Sequence, residues 1–212
     1  MTRLEAQTLI EQRLGKRTGL KDDIVGELRA AQRHFERKGF LPWFLRTTAI
    51  FPFGEKFMPL PTGFLREVDD EHLFALLKGT EQKGLKKRSY QQIAETPGMG
   101  GLGEPRFYTL EFDQNQPTAV ANFWPQPDTT YMWRLCYNRT DLELVADNSE
   151  NRWLTFTPEL LVCKAGLEIA KMLRSVEGTQ LFMTGLAEAQ ADMRIAHVAQ
   201  MAAAVENWEM RG

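Results

Sequence analysis

Six consecutive residues, Gly98-Met99-Gly100-Gly101-Leu102-Gly103, spell G-x-G-x-x-G. In a dinucleotide site, such glycines follow a buried strand and open a helix whose amides hold the pyrophosphate. Here a polar, helix-like stretch from Tyr90 to Glu95 comes first, and Glu104-Pro105 and a strand come after. The run therefore reads as a flexible surface loop. Asp69, Asp70, Glu71 and His72 crowd carboxylates and an imidazole together. Adjacent residues of an extended chain point to opposite faces, so these four cannot share one metal ion. No second His or Cys cluster supplies the ligands that zinc requires. A solvated acidic turn is expected.

Nucleophiles are equally scattered. Ser89, Ser149 and Ser175 are the only serines, and none sits in a nucleophile elbow. Cys136 alternates within an expected strand, and Cys163 lies in an expected buried helix; both read as reduced, small core or edge residues. His34 and His197 are far apart in the chain. Nothing assembles a nucleophile, a base and an oxyanion donor, so neither an enzyme nor a bound cofactor or metal is expected. The basic run from Lys83 to Arg88 offers Lys83, Lys86, Lys87 and Arg88 to DNA phosphates or to a neighbouring molecule. Its plainer reading is a charged edge strand or loop. Near the chain's end, Val205, Trp208 and Met210 add apolar groups after an alanine-rich helical stretch, with Glu206, Glu209 and Arg211 around them. An aromatic anchor inside a polar rim suits docking into a partner.

The elements that carry these residues divide into helical ends and a sheet-forming middle. Ile24, Leu28, Ala31 and Phe35 follow one helical face, predicting a helix from about Leu20 to Lys38. Phe40 to Leu45 reads as a packed corner, Thr47 to Phe51 as a strand, Glu55 to Leu60 as its short partner, and Leu73 to Leu77 as a third strand. Tyr108 to Phe112, Ala119 to Trp124 and Tyr131 to Tyr137 alternate with period two and predict a three-stranded antiparallel meander. From Pro158 to Ser175 the only regular polar stripe is Lys164, Glu168, Lys171 and Ser175, which marks a central, buried helix. Beyond Gly178, the series Phe182, Leu186, Ala189, Met193, Ala196, Gln200 and Ala203 predicts one long amphipathic helix. The expected fold class is α+β: a helical bundle from the N- and C-terminal segments with an inserted antiparallel β region. The expected domain is a single one over 1–212, with N-terminal helices at 1–45, the β region at 46–138 and a C-terminal helix pair at 155–210.

Composition fits that picture. The 212 residues are 43% hydrophobic and 25% charged, with a net charge of −2. A chain this long hides roughly 70% of its unfolded surface and needs no metal or disulfide to fold. The mild negative charge argues against bulk positive attraction to nucleic acid. No stretch reaches the ~20 apolar residues of a membrane span, and the amphipathic start is not a secretory signal.

The order of motifs resembles tailed-phage head-to-tail adaptor proteins, also called head completion or connector proteins. A helix ending in Ala31-Gln32-Arg33 leads to Trp43-Phe44-Leu45-Arg46, and a strand pair runs into Leu60-Pro61-Thr62-Gly63-Phe64-Leu65-Arg66-Glu67. A Tyr-bearing helix from Tyr90 to Ala94 precedes Gly103-Glu104-Pro105-Arg106-Phe107-Tyr108. Trp124-Pro125-Gln126-Pro127, the Tyr131 to Tyr137 strand and the closing helix pair complete the series, from about Asp22 onward. The resemblance implies a virion structural protein, assembled in the host cytoplasm, that docks as a ring of roughly twelve copies beneath the portal. It would help retain the genome and offer a platform to tail or nozzle proteins, while packaged DNA passes through without sequence recognition. Val205, Glu206, Trp208 and Met210 would form the portal interface. Two other readings stand beside it: a nucleotide-binding enzyme using Gly98 to Gly103, and a small nucleic-acid-binding module using Lys83 to Arg88.

Overall fold

The computed structural model describes residues 1–17, 19–37, 42–68, 71–98, 100–112 and 118–209, with side chains up to residue 200. The chain divides into two compact units, Met1–Leu45 with Asp141–Gly212, and Arg46–Thr140.

The first unit is helical. Helix α1 (Arg3–Arg13) starts at a capping box in which the Thr2 side chain accepts from Glu5 N and the Glu5 carboxylate accepts from the Thr2 amide. Helix α2 (Lys21–Arg37) buries Ile24, Leu28, Ala31 and Phe35, as their spacing predicts. A 3₁₀ turn at Trp43–Leu45 and a short helix, α4 (Arg152–Phe156), bring Trp43, Phe44, Trp153 and Phe156 into one aromatic cluster. Helix α5 (Pro158–Met172) is buried on most sides, and its polar stripe is closed on itself: Lys164 and Lys171 both reach Glu168. Helix α6 (Val176–Glu209) runs back along it. The two pack closely because glycine faces bulk at two points. A Cβ on Gly166 would sit 2.4 Å from the Phe182 ring, and one on Gly185 would sit 2.8 Å from Cys163 Sγ.

A buried polar network joins α2 to the returning chain. Glu36 Oε1 accepts from Gln32 Nε2, the Asp141 amide and Trp153 Nε1 at 3.0, 3.1 and 3.3 Å. Asn151 donates to Gln32 Oε1 and to the Leu142 carbonyl, and its Oδ1 caps α4 at Leu154 N. Each of these buried groups is matched by a partner, which is what makes such a network tolerable in a core.

The second unit is built on sheets. The first sheet contains β1 (Arg46–Phe53), β9 (Tyr131–Arg139), β4 (Phe74–Lys78) and β5 (Glu81–Gly84) in that order, with β3 (Phe64–Glu67) also paired to β9. The second runs β2 (Phe57–Pro59), β8 (Ala119–Trp124), β7 (Phe107–Phe112), β6 (Lys86–Lys87). Helix α3 (Tyr90–Ala94), capped by Ser89, precedes β7. Their shared core is aromatic: Phe74, Tyr108, Phe123 and Trp133 are almost completely buried and in ring contact.

This corrects the expected fold. The described residues form six helices and nine strands in two sheets, so the chain is not a helical bundle with a β insert: the sheet unit has its own extensive core. The meander does not form either. Strands β7 and β8 pair as a hairpin, but β9 lies in the other sheet, against β1, β3 and β4. Period-two alternation decides which face a strand buries and is silent about its partner. The connection from Pro125 to Thr130, with prolines at 125 and 127, carries the chain between sheets instead of making a tight turn. For the same reason β2 pairs with β8 and not with β1. The region is also not purely antiparallel, because β6 and β7 run parallel.

Candidate functional site

A groove of about 410 Å³ opens in the helical unit between α5 and α6, beside α1. Arg13, from the last turn of α1, grips Glu159 of α5 in a two-pronged bond of 2.7 and 3.0 Å. That bond raises the Arg13 pKa above its ordinary value. Cys163, one turn along α5 from Glu159, lies at the groove floor. Burial first, then the Glu159 charge, push its thiol up to about 11. It is thus protonated at neutral pH, so the groove holds no activated nucleophile. From α6 come Glu188 and Asp192, one turn apart on the groove's rim. A second hollow of about 260 Å³ adjoins the first, sharing Glu159, Ala189 and Asp192 and ending on Phe156, Met193 and Ala196. Among the described residues, neither Glu188 nor Asp192 has an ion-pair partner.

Beyond this groove α6 loses its support. Phe182 and Met193 are buried, Leu186 and Ala189 half-buried, and then the face runs out: none of residues 194–200 is buried. Ile195 and Val198 are 68% and 66% exposed. At 1.5 Å per residue the 34-residue α6 is about 51 Å long, against about 22 Å for the 15-residue α5 on which it packs. Of the residues expected at a partner interface, Val205, Glu206 and Trp208 lie within α6, and Met210 lies outside the described residues.

The basic run Lys83 to Arg88 passes from the edge of one sheet to the edge of the other, turning at the buried Leu85. Its charges are only partly available. Lys83 binds Glu104 at 2.7 Å, as Lys78 also does, and Lys87 binds Glu67 at 2.6 Å. Glu104 is held down to about 2 by its bonds to those two lysines. Arg88 lies over the Phe107 ring, and Lys86 has no ion-pair partner among the described residues. Glu104 is invisible as a partner in the sequence, because the pairing is made by the fold and not by local spacing.

The glycine-rich run is not a dinucleotide loop. The five-residue α3 precedes it, β7 follows it, and Gly103 N and Gly101 O are bonded to Gln126. It is tethered rather than a free surface loop; Met99 lies outside the described residues. In the acidic cluster, Asp69 and Asp70 also lie outside the described residues. Glu71 is not solvated as expected: it pairs with Arg46 and lies 3.5 Å from Arg134, with three-quarters of its side chain buried. Next to it, His72 packs flat on Gly84, where a Cβ would meet the imidazole at 1.8 Å. Among the described residues, no three His, Cys, Asp or Glu side chains gather as metal ligands. All three serine hydroxyls serve backbone turns: Ser89 caps α3, Ser149 accepts from Ala146 N, and Ser175 accepts from Gly178 N.

No helix among the described residues is long and apolar enough to cross a membrane. Compared with models of known protein families and with curated protein sequences, the chain matches none.

Proposed function

We propose that this protein is a structural adaptor of a tailed-phage virion, bound as a ring of roughly twelve copies beneath the portal and offering its other side to tail or nozzle proteins. The reading draws on the order of sequence motifs, and one structural observation carries it: the far half of α6 is a helix with exposed Ile195 and Val198 and no buried residue from 194 to 200. A helix whose described residues outrun the core by about two turns is suited to completing its packing on another molecule. Val205, Glu206, Trp208 and Met210 continue that segment and are the proposed portal contacts. Packaged DNA passes the ring without being tightly held, because two cations of the basic run, Lys83 and Lys87, are already matched by Glu104 and Glu67, leaving Lys86 without an ion-pair partner among the described residues.

The test is co-sedimentation with purified portal rings. The full chain binds, and a chain lacking residues 205–212 melts within a degree or two of the full chain but no longer sediments with the portal. A truncated protein that decorates portals normally removes the assigned contacts. A full chain that never binds them removes the adaptor reading itself.

A further inference from the structure

The exposed turns of α6 carry opposite charges on two different flanks. Successive helix residues are about 100° apart, so Glu188 and Asp192 share one flank, about 40° from each other. Arg194 lies roughly 120° to 160° around the axis from them. Ile195 and Val198 occupy the arc between, Ile195 next to the acidic flank and Val198 next to Arg194. The buried Phe182 and Met193 face the other way, toward α5. Among the described residues neither Arg194 nor the two acids has an ion-pair partner, although Arg13, Lys164 and Lys171 nearby are all paired.

We infer that this face of α6 is where neighbouring copies of the chain meet, the acidic flank and groove of one copy receiving the Arg194 flank of the next. Set parallel and shifted by about three residues, roughly 4.5 Å, two copies of α6 bring Val198 of one against Ile195 of the other. The same shift puts Arg194 level with position 191, between Glu188 and Asp192. One alignment thus matches an apolar pair and an ionic cluster together. A two-fold dimer uses a single patch twice, whereas two complementary patches on different flanks generate a chain of copies, which closes into a ring when the rotation between neighbours divides a full turn and no shift accumulates along the axis. In a closed ring of about twelve helices, each tilted by about 25° to the ring axis so that the 4.5 Å shift does not accumulate from copy to copy, each helix meets its two neighbours in directions about 150° apart, within the separation of the flanks here. The inference rests on the ring reading above for the number of copies, and not for the contact itself.

The contact is tested with two single-cysteine reporters, Ile195→Cys and Val198→Cys, in the full chain; the native Cys136 and Cys163 are buried. The two variants are mixed and oxidised, free in solution and after loading on portal rings. The expected product is the mixed dimer, one Ile195→Cys chain joined to one Val198→Cys chain, with either variant alone giving little. Adding Glu188→Lys and Asp192→Lys to the Ile195→Cys chain lowers the mixed product by about tenfold or more, and adding Arg194→Glu to the Val198→Cys chain restores it. Homodimers in place of mixed dimers overturn the inference, and so does normal portal binding without any cross-link. Mixed dimers in a protein that never binds portals support the contact while removing the adaptor reading.

Discussion

Replacing Gly166 with alanine adds one methyl group where α5 and α6 cross. The new carbon would lie 2.4, 2.5 and 2.7 Å from three carbons of the Phe182 ring, where an ordinary contact needs about 3.5 Å. Phe182 is fully buried, so its ring has no solvent to swing into. The helices must part or the ring must leave its rotamer, and overpacking of this kind costs about 1–3 kcal/mol. Alanine's better helix propensity returns about 1 kcal/mol. Because three atoms clash by about an ångström, the cost falls in the upper part of its range, and Gly166→Ala loses about 1–2 kcal/mol net. For a chain of this size the melting temperature falls by about 2–8 °C, measured by far-ultraviolet circular dichroism. Pairing Gly166→Ala with Phe182→Leu recovers part of the loss, a coupling of at least about 0.5 kcal/mol, because the smaller side chain makes room for the methyl. A Gly166→Ala protein more stable than the parent would refute the argument and show that helix propensity, not interhelical spacing, governs the site.

Asn151→Ala removes the cap on α4 and leaves Gln32 Oε1 short of a donor in a buried network; a loss of about 1–3 kcal/mol in urea unfolding is expected. Glu104 sits at about 2 in the folded chain, below its ordinary 4.5, because Lys78 and Lys83 bind its charged form. Its contribution is therefore fully present above about 4.5 and disappears as pH falls toward 2; Glu104→Gln flattens stability across that window, and an unchanged profile counts against the pairing. Cys163, protonated and buried, resists alkylation in the native protein at mildly alkaline pH and reacts quickly once denatured; rapid native labelling at Cys163 contradicts the placement of the thiol.

Much of the helical unit was legible because its signals are local. The apolar spacing of α2 and the thin polar stripe of α5 each describe a face, and the structure buries those faces. Alternation from Tyr131 to Tyr137 likewise marks the core side of β9, where Trp133, Leu135 and Tyr137 are buried. What alternation lacks is partner choice. Strand β9 pairs with β1, which lies some eighty residues earlier, and β3, β5 and β6 are too short or too polar to show a period. Polar partners are harder still. Gln32, Glu36 and Asn151 carry no hydropathy signal, and their meeting depends on the chain returning from a long excursion. In the candidate site, Glu188 and Asp192 look in sequence like an ordinary wet helix face, and only the packing of α6 on α5 makes them the rim of a groove.

The excursion itself has a consequence for how the protein comes to be folded. The helical unit is interrupted between Leu45 and Asp141 by about 95 residues, and α2 cannot complete its core until the later segment arrives. Closing so long a loop from an unfolded chain carries an entropic cost that grows with the logarithm of its length. Yet the two ends of the excursion are strands β1 and β9, with Arg46 directly opposite Asn138. Once the sheet unit has formed, the interruption behaves as a hairpin a few residues long. On the same logarithmic scale this lowers the closure cost of the helical unit by about 3 kcal/mol. The sheet unit is therefore a clasp as well as a module: loosening the β1–β9 ladder would weaken the helices without touching any of them, and during synthesis the helical unit waits on its insert.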